Sequence, residues 1–341
     1  MDLNTLWYIL IGTLYTGYFI LEGFDFGVGI LLPFLSKEDT SRRIVINSIG
    51  PHWDGNEVWL IVAGGATFAA FPGWYATLFS GFYIPFFLLL VALIIRGVAF
   101  EFRSKIDKPL WRSIWDWSIF FGSLIPSFLW GVAFANIIRG LPIDSTYNYT
   151  GGVLNLLNPF AILGGIISTI VFTFHGSLFL TLKTADRFLL NIRRSSLQIW
   201  LPALLLVLAG ILFTNFSTNF FDRNNGIGFI FALAALILLI LSGILNRMEK
   251  DKPAFLLTSL VILTGMASIF ISLYPNILIA YNTANNLTIY NSASGPNTLR
   301  TMTIIAGIFV PLVIAYQAWT YWVFRKRISV EKPTDTSSLE Y

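Results

Sequence analysis

The chain has 341 residues, of which 55% are hydrophobic and 12% are charged, and its formal net charge is +4. Soluble proteins carry about 25% charged residues, so this composition excludes a protein whose whole surface faces water. The absence of cysteine excludes disulfides, thiolate metal sites and cysteine nucleophiles.

A helix needs roughly 20 mostly apolar residues to cross the hydrocarbon core of a membrane. Nine such stretches predict nine transmembrane helices, at about residues 6–33, 52–71, 74–97, 115–138, 155–181, 198–217, 226–246, 254–274 and 302–324. We therefore expect an all-α polytopic membrane protein. In this prediction, residues 1–330 form one transmembrane domain and residues 331–341 form a polar cytoplasmic tail.

The basic residues are distributed unevenly between the predicted connections. All but three of the 22 lysines and arginines end or follow an odd-numbered helix, and the exceptions are Arg139, Arg223 and Arg300. Lysine and arginine accumulate on the cytoplasmic side of membrane proteins, which predicts an outside N-terminus and a cytoplasmic C-terminus. Because this rule accounts for the positive net charge, no nucleic-acid partner is predicted.

Aromatic residues lie mostly near the predicted helix ends, among them Trp7, Trp74 and Tyr321. Tryptophan and tyrosine are enriched where a membrane meets water, so we interpret these residues as interfacial anchors. The only two histidines, His52 and His175, have no companion His or Met placed as an obvious axial haem ligand. We expect His175 to be a core residue and the chain to be poorly equipped to hold several haems.

Two pairs of carboxylates interrupt the first two apolar stretches. Glu22 and Asp25 lie three residues apart in the first helix, and Asp54 and Glu57 repeat this spacing in the second. Residues three apart share a helix face, and antiparallel helices can bring both pairs together toward the cytoplasm. A charge near the middle of a membrane helix costs about 2.5–3.5 kcal/mol on insertion scales, so such residues are rarely without a function. Closely packed carboxylates titrate together, and these four predict a proton path.

A structural role is the alternative for these carboxylates. Acidic residues favour the first turn of a helix, where Asp54 and Glu57 lie, and any of them could pair with an arginine such as Arg96. We assign supporting roles beside the carboxylates to His52 and Arg96. No cofactor or metal is assigned to the residues of this chain.

Several motifs together resemble subunit 2 of the cytochrome bd quinol oxidases. The resemblance runs from end to end and is densest in the first half, and the stretch from Gly50 to Leu60 is the most specific. The motifs are Gly23-Phe-Asp-Phe-Gly-Val-Gly29, Arg42-Arg-Ile-Val-Ile-Asn-Ser48, Gly50-Pro-His-Trp-Asp-Gly-Asn-Glu-Val-Trp-Leu60, Ala63-Gly-Gly-Ala66, Ser80-Gly-Phe-Tyr83, Arg103-Ser-Lys105, Trp115-Asp-Trp117, Gly131-Val-Ala-Phe134, Leu156-Leu-Asn-Pro-Phe160 and Ala318-Trp319.

The resemblance implies two four-helix bundles plus one peripheral helix, paired with a similar subunit 1. It implies that subunit 1 binds two b-type haems and one d-type haem and carries the quinol site. The pair would oxidise quinol and reduce dioxygen to water in the bacterial plasma (inner) membrane, generating a proton-motive force without pumping. A small single-helix accessory subunit, lipid and quinone are further candidate partners.

The resemblance also bears on the carboxylates. Asp54 matches a position assigned to a proton route in the family, and Asp25 matches the acidic position nearby. Glu22 stands where some relatives have Asp, and Glu57 stands where some have Gln, so its ionisation would be particular to this chain.

Two other functions fit the same carboxylates. An ion-coupled secondary transporter could use the acidic pairs as its coupling site, although these pairs lie toward one face of the membrane and no internal repeat is visible. A purely structural assembly partner is the other alternative. Replacing Asp25 and Asp54 by Asn distinguishes this structural role from a proton relay in the oxidase. A relay predicts lost turnover with intact haem, whereas a structural role predicts loss of haem or of assembly.

Overall fold

The computed structural model describes residues 2–35 and 38–328, which contain eleven α-helices and one small hairpin. The helices are α1 (Leu3–Leu35), α2 (Asp39–Ile49), α3 (Trp53–Ala70), α4 (Pro72–Gly81), α5 (Tyr83–Phe102), α6 (Pro109–Arg139), α7 (Pro159–Lys183), α8 (Asp186–Ser217), α9 (Ile227–Arg247), α10 (Asp251–Leu273) and α11 (Pro296–Val323). The antiparallel strands are β1 (Asn276–Leu278) and β2 (Leu287–Thr288).

Within these described residues, eight helices are long and apolar enough to cross a membrane, namely α1 and α5 to α11. The prediction of a helical protein with several apolar spans is therefore confirmed. The remaining predicted span, 52–71, corresponds to α3, whose 18 residues would extend about 27 Å at 1.5 Å per residue. Its first two turns carry Asp54, Asn56 and Glu57, which lower its hydropathy. Length and composition thus select eight helices, one fewer than predicted.

The predicted span 74–97 is divided in the structure. Two helices, α4 and α5, cover this stretch and are separated at Phe82. Pro85 explains the break, because proline has no N–H to donate to the carbonyl of Gly81 and its ring crowds that carbonyl. The sequence analysis also missed α2, a short and largely polar helix between α1 and α3.

Two glycines allow α1 and α7 to pack closely. A Cβ on Gly27 would lie only 2.0 Å from the backbone oxygen of Phe172, and a Cβ on Gly176 would lie 2.6 Å from the backbone of Gly27. No side chain fits such a separation, so the two backbones touch directly. Small residues serve this purpose in membrane helices, where backbone approach replaces a hydrophobic driving force.

The helices form two sets of neighbours. In the first, α1 contacts α3, α6 and α7, and α5 packs on α6. In the second, α7 contacts α8 and α10, and both of those contact α9. The last helix, α11, lies outside both sets. In its most apolar 18-residue stretch 6% of the residues are buried, compared with 72% in the corresponding stretch of α1.

Ion-pair networks join the helix ends that carry the predicted cytoplasmic basic residues. Arg103, at the end of α5, donates to Asp116 of α6 at 2.5 Å, and Arg42 of α2 donates to the same carboxylate at 2.8 Å. Arg193 of α8 similarly pairs with Asp251 of α10 at 2.9 Å. Asp116 and Arg103 are both buried, so their ion pair joins α5 to α6 inside the protein rather than at a solvated surface.

The opposite ends of α3 and α6 are covered by the connection that contains the hairpin. The amide of Leu141, just after α6, donates to the carbonyl of Ile279 at 2.8 Å. The amide of Ser294 donates to the carbonyl of Ala70, the last residue of α3, at 2.9 Å. This connection therefore satisfies backbone groups that the helix ends leave without intrahelical partners.

Candidate functional site

A buried arginine joins two of the predicted carboxylates. Arg96 of α5 donates from Nη2 to Glu22 of α1 in a short contact, and from the same nitrogen to Glu57 of α3 at 2.6 Å. Arg96 and Glu22 are fully buried, whereas the side chain of Glu57 is 21% exposed. The arginine also lies over the ring of Phe26, with 4.9 Å from Cζ to the ring centre. Three helices thus place one cation between two carboxylates.

The second carboxylate of α1, Asp25, is bound by an amide instead of a cation. Asn56 of α3 donates from Nδ2 to Asp25 Oδ2 at 2.7 Å, and both side chains are fully buried. The i, i+3 spacing on α1 turns Glu22 and Asp25 toward α3, as predicted. The structure therefore brings Glu22, Asp25, Glu57 and Arg96 into one buried group, which we call the acidic cluster.

The last helix closes the acidic cluster with two polar side chains that the sequence analysis did not assign to it. Gln317 Nε2 donates to Asn56 Oδ1 at 3.1 Å, and the hydroxyl of Tyr321 donates to the same oxygen at 2.8 Å. Trp59 of α3 donates from its indole nitrogen to Gln317 Oε1 at 2.7 Å. The interpretation of Tyr321 as an interfacial anchor is wrong, because its hydroxyl points into the cluster. The i, i+4 spacing of Gln317 and Tyr321 in an apolar helix was the available signal.

Other predicted anchors are also buried. Trp7 donates from its indole nitrogen to the carbonyl of Leu299 at 3.1 Å and to Thr303 at 3.0 Å, and Trp74 is 4% exposed. Trp7 therefore joins α1 to α11, and both rings are covered by protein rather than exposed at the surface of this chain.

Several polar atoms of the acidic cluster have no hydrogen-bond partner within the described residues. They are Asp25 Oδ1, Glu22 Oε2, and Nε and Nη1 of Arg96. Buried polar groups normally find a partner in the protein or in ordered water. Unpaired donors and acceptors so close together are the chemistry that recruits internal water.

Asp54 and His52 lie beside the acidic cluster rather than in it. The side chain of Asp54 is exposed and accepts a hydrogen bond from the amide of Gly55 at 2.7 Å. His52 is buried and stacks on the ring of Tyr321, with ring centres 4.3 Å apart. Neither ring nitrogen of His52 has a hydrogen-bond partner among the described residues. Tyr321 therefore connects His52 to the cluster.

The two histidines do not fit the role of axial haem ligands. His175 is bonded through both ring nitrogens, to Thr258 at 2.7 Å and to the carbonyl of Ile20 at 3.0 Å, which makes it the core residue predicted. The ring nitrogens of His52 have no hydrogen-bond partner among residues 2–35 and 38–328, but Tyr321 covers its face and Phe324 its edge. Across the described part of the chain, no three His, Asp or Glu side chains are grouped so that they could hold a metal ion.

Comparison with known proteins identifies the family of this chain. The family model described as cytochrome bd terminal oxidase subunit II matches residues 3–324. The chain belongs to that family. Cytochrome bd ubiquinol oxidase subunit 2 of Bacillus subtilis is 43% identical to this subunit II over 333 residues, covering 97% of this chain and 98% of the relative. Cytochrome bd-I ubiquinol oxidase subunit 2 of Escherichia coli is 37% identical over 363 residues, covering 96% of each.

A solved structure agrees with the fold of this subunit II. One chain of the bd oxidase from Geobacillus thermodenitrificans superposes with a TM-score of 0.75, covering 96% of this chain and 100% of that chain. The sequence identity is 18%, so this likeness concerns the fold alone.

Membership of the family confirms the resemblance found in the motifs. The chain is a subunit of a terminal oxidase, an oxidoreductase complex that contains haem and a partner subunit. None of the matched proteins named here is a transporter, so the transporter alternative has no support.

Proposed function

We propose that this subunit II completes a quinol:dioxygen oxidoreductase and carries part of its cytoplasmic proton path. In this proposal, the partner subunit 1 holds two b-type haems, one d-type haem and the quinol site. Electrons from quinol reduce dioxygen to water there, and protons for the water reach the reaction through residues that include Glu22, Asp25 and Glu57. The relatives named as ubiquinol oxidase subunits support the substrate class.

The observation that carries the proton path is the acidic cluster. Three carboxylates lie around one guanidinium, and in this part of the chain two of them keep a buried oxygen with no hydrogen-bond partner. A purely structural ion pair would be expected to satisfy each buried lone pair, because an unsatisfied one costs about 1–3 kcal/mol. A carboxylate oxygen that accepts no hydrogen bond is open to a proton, as a proton carrier requires.

The surface end of this path lies on α3. Glu57 is partly exposed and contacts Arg96 directly, and Asp54 is exposed one turn earlier on the same helix. Asp25 lies ten residues before the end of α1, or about 15 Å at 1.5 Å per residue. We infer that protons enter near Asp54 and Glu57 and reach Glu22 and Asp25 inside.

The exposed face of α3 supports a contact with the partner subunit. Val58, Ile61 and Phe68 are 47%, 73% and 58% exposed, and the exposed Asp54 lies on the same helix. Membership of the oxidase family implies a partner subunit, and we propose that subunit 1 covers these apolar side chains. Asp54, in the first turn of α3, then stays reachable from the cytoplasm.

We propose nine membrane crossings, with α3 as the ninth, in two four-helix bundles plus the peripheral α11. The N-terminus then lies outside and the basic helix ends lie in the cytoplasm of a bacterial cell, at its plasma membrane. The proposed transmembrane domain (1–330) ends near the last described residue, and the predicted polar tail (331–341) lies outside the described residues. A small accessory helix, lipid and quinone remain proposed partners.

The complex purified through a tag on this chain tests the oxidase proposal. We expect a larger haem-bearing subunit to co-purify, with a d-type haem band in the reduced-minus-oxidised spectrum and quinol-dependent oxygen uptake. A colourless chain that purifies alone and stably, without oxygen consumption, would contradict the proposal and favour a transporter.

Substitutions in the same complex test the proton path. Asp25→Asn, Glu22→Gln and Asp54→Asn should reduce oxygen uptake while the haem spectrum stays intact. Asp107→Asn is a matched control, because the side chain of Asp107 is 90% exposed and lies outside the cluster. Unchanged turnover in Asp25→Asn would exclude Asp25 from the path, and loss of haem would assign it a structural role.

A further inference from the structure

A continuous chain of hydrogen bonds runs from a tryptophan to Asp25 through two amide side chains. Trp59 donates to Gln317, Gln317 donates to Asn56, and Asn56 donates to Asp25, at 2.7, 3.1 and 2.7 Å. The members lie on three helices, because Trp59 and Asn56 belong to α3, Gln317 to α11 and Asp25 to α1. We call Trp59, Gln317 and Asn56 the amide chain.

Hydrogen-bond chemistry fixes the direction of every amide in this chain. An indole nitrogen only donates, so the atom of Gln317 that faces Trp59 is the oxygen. The amide nitrogen of Gln317 then faces Asn56, and the oxygen of Asn56 must receive it. Tyr321 adds a second donor to that same oxygen at 2.8 Å. The nitrogen of Asn56 is therefore turned toward Asp25.

With the amides in this orientation, the two oxygens of Asp25 differ in their hydrogen bonding. Oδ2 accepts the hydrogen bond from Asn56, whereas Oδ1 has no partner within the residues that the structure describes. If the Asn56 amide were reversed, two acceptors would face one another at the present 2.7 Å unless a proton lay between them. The orientation of Asn56 thus decides which oxygen of Asp25 is open to a proton.

We propose that the amide chain, with Tyr321, is a positioning device that reserves Oδ1 of Asp25 as the oxygen that takes up and releases the proton. This inference rests on the proposed proton path through Asp25. It gives α11, which is otherwise largely exposed, a specific role as the helix that holds the acidic cluster in its working geometry. Gln317 and Tyr321 act on the path through Asn56 rather than by carrying the proton.

Ionisable groups from four helices surround Asp25. They are Glu22 on α1, Asp54 and Glu57 on α3, Arg96 on α5 and Tyr321 on α11. A test must therefore report on the Asp25 carboxyl itself. The infrared band of its protonated C=O group, assigned as the band missing in Asp25→Asn, meets this requirement.

The test variants are Gln317→Leu, Tyr321→Phe and the double variant, each in the complete oxidase complex. Leucine removes both hydrogen bonds of Gln317 with little change of size, and phenylalanine keeps the ring that stacks on His52. We expect the Asp25 band to shift or split in the double variant. We expect turnover to fall about tenfold, since misplacing a functional group by 1 Å can cost about 100-fold. The slowing of turnover in D₂O should increase.

Two controls complete the test. Thr320→Val, on the same helix, removes only a hydrogen bond to the carbonyl of Tyr316 within α11 and should leave band and turnover unchanged. The haem spectrum reports whether each variant complex has assembled. If the double variant does not assemble, the Tyr321→Phe variant, which loses only one hydroxyl, is used for the same measurements.

The outcomes separate this inference from the proton path. An unchanged Asp25 band with turnover within twofold of wild type, while Asp25→Asn is inactive, would overturn the inference and leave the path intact. Full turnover in Asp25→Asn would overturn the path, whatever happens to the band. A shifted band with slower turnover and normal haem would support both.

Discussion

Replacing Arg96 tests whether the acidic cluster is held together by one buried cation. The guanidinium is fully buried, contacts two carboxylates and lies near a third, Asp25, so the group has a formal charge of −2 if all carboxylates are ionised. Arg96→Gln leaves three carboxylates without a cation, whereas Glu22→Gln removes one negative charge and keeps the arginine. The first substitution should therefore be much more harmful than the second.

The expected magnitude follows from burial. Removing one partner of a buried ion pair costs about 3–5 kcal/mol, because the other charge stays buried and uncompensated. At about 1.4 kcal/mol per tenfold change, that corresponds to a factor of roughly 100 to 4,000 in the ratio of folded to unfolded protein. The double variant Arg96→Gln, Glu22→Gln should recover part of this loss, because it leaves one fewer unpaired carboxylate.

In the assay, the complex is heated in detergent and the fraction that remains assembled at each temperature is measured by size-exclusion chromatography. We expect the midpoint temperature to increase in the order Arg96→Gln, the double variant, Glu22→Gln. Arg112→Gln is the control, because Arg112 pairs with Asp39 and Asp107 at 31% exposure, and exposed pairs contribute about 0–1 kcal/mol. A double variant no more stable than Arg96→Gln would refute the reasoning, as would equal effects of Arg96→Gln and Arg112→Gln.

Two further predictions concern stability and assembly. Asp116→Asn should cost about 3 kcal/mol or more, because it leaves the buried Arg103 without its closest carboxylate, and thermal unfolding of the complex measures this. Gly27→Leu should prevent the contact of α1 with α7 and reduce the yield of assembled complex, whereas Gly265→Ala in α10, where nothing lies within 4 Å, should not.

Sequence patterns that depend on local chemistry predicted most of this fold. Long apolar stretches identified the helices, because a membrane span needs about 20 apolar residues whatever its neighbours are. The approach of Glu22 and Asp25 to Glu57 was predicted from the i, i+3 spacing on antiparallel helices, whereas Asp54 is exposed and lies beside the acidic cluster. The break at Phe82 could also have been predicted, since Pro85 lies four residues after Gly81, but the high hydropathy around it concealed the signal.

Contacts between distant helices could not be predicted in the same way. Gln317 and Tyr321 lie more than 250 residues from Asn56, and although their i, i+4 spacing places them on one face of α11, it does not indicate which helix that face contacts. Arg96 received only a supporting role because its partners depend on how α5 packs against α1 and α3. Asp54 and Glu57 share a helix turn, but a small difference in direction leaves one exposed and the other paired with Arg96.

The placement of the acidic cluster explains why a subunit without an evident haem ligand would carry carboxylates at all. A proton path needs carriers that are buried yet reachable from water, and the three helices α1, α3 and α5 provide the burial while α3 provides the exposed end. On α3, Asp54 and the apolar residues Val58, Ile61 and Phe68 are exposed in this chain. The proposed path would begin on this exposed face and end at buried oxygens that have no partner within the described residues, so it would be incomplete within one chain. We infer that the partner subunit completes it, so interface variants on α3, such as Ile61→Ser, should reduce assembly with subunit 1 before they affect the fold of this chain.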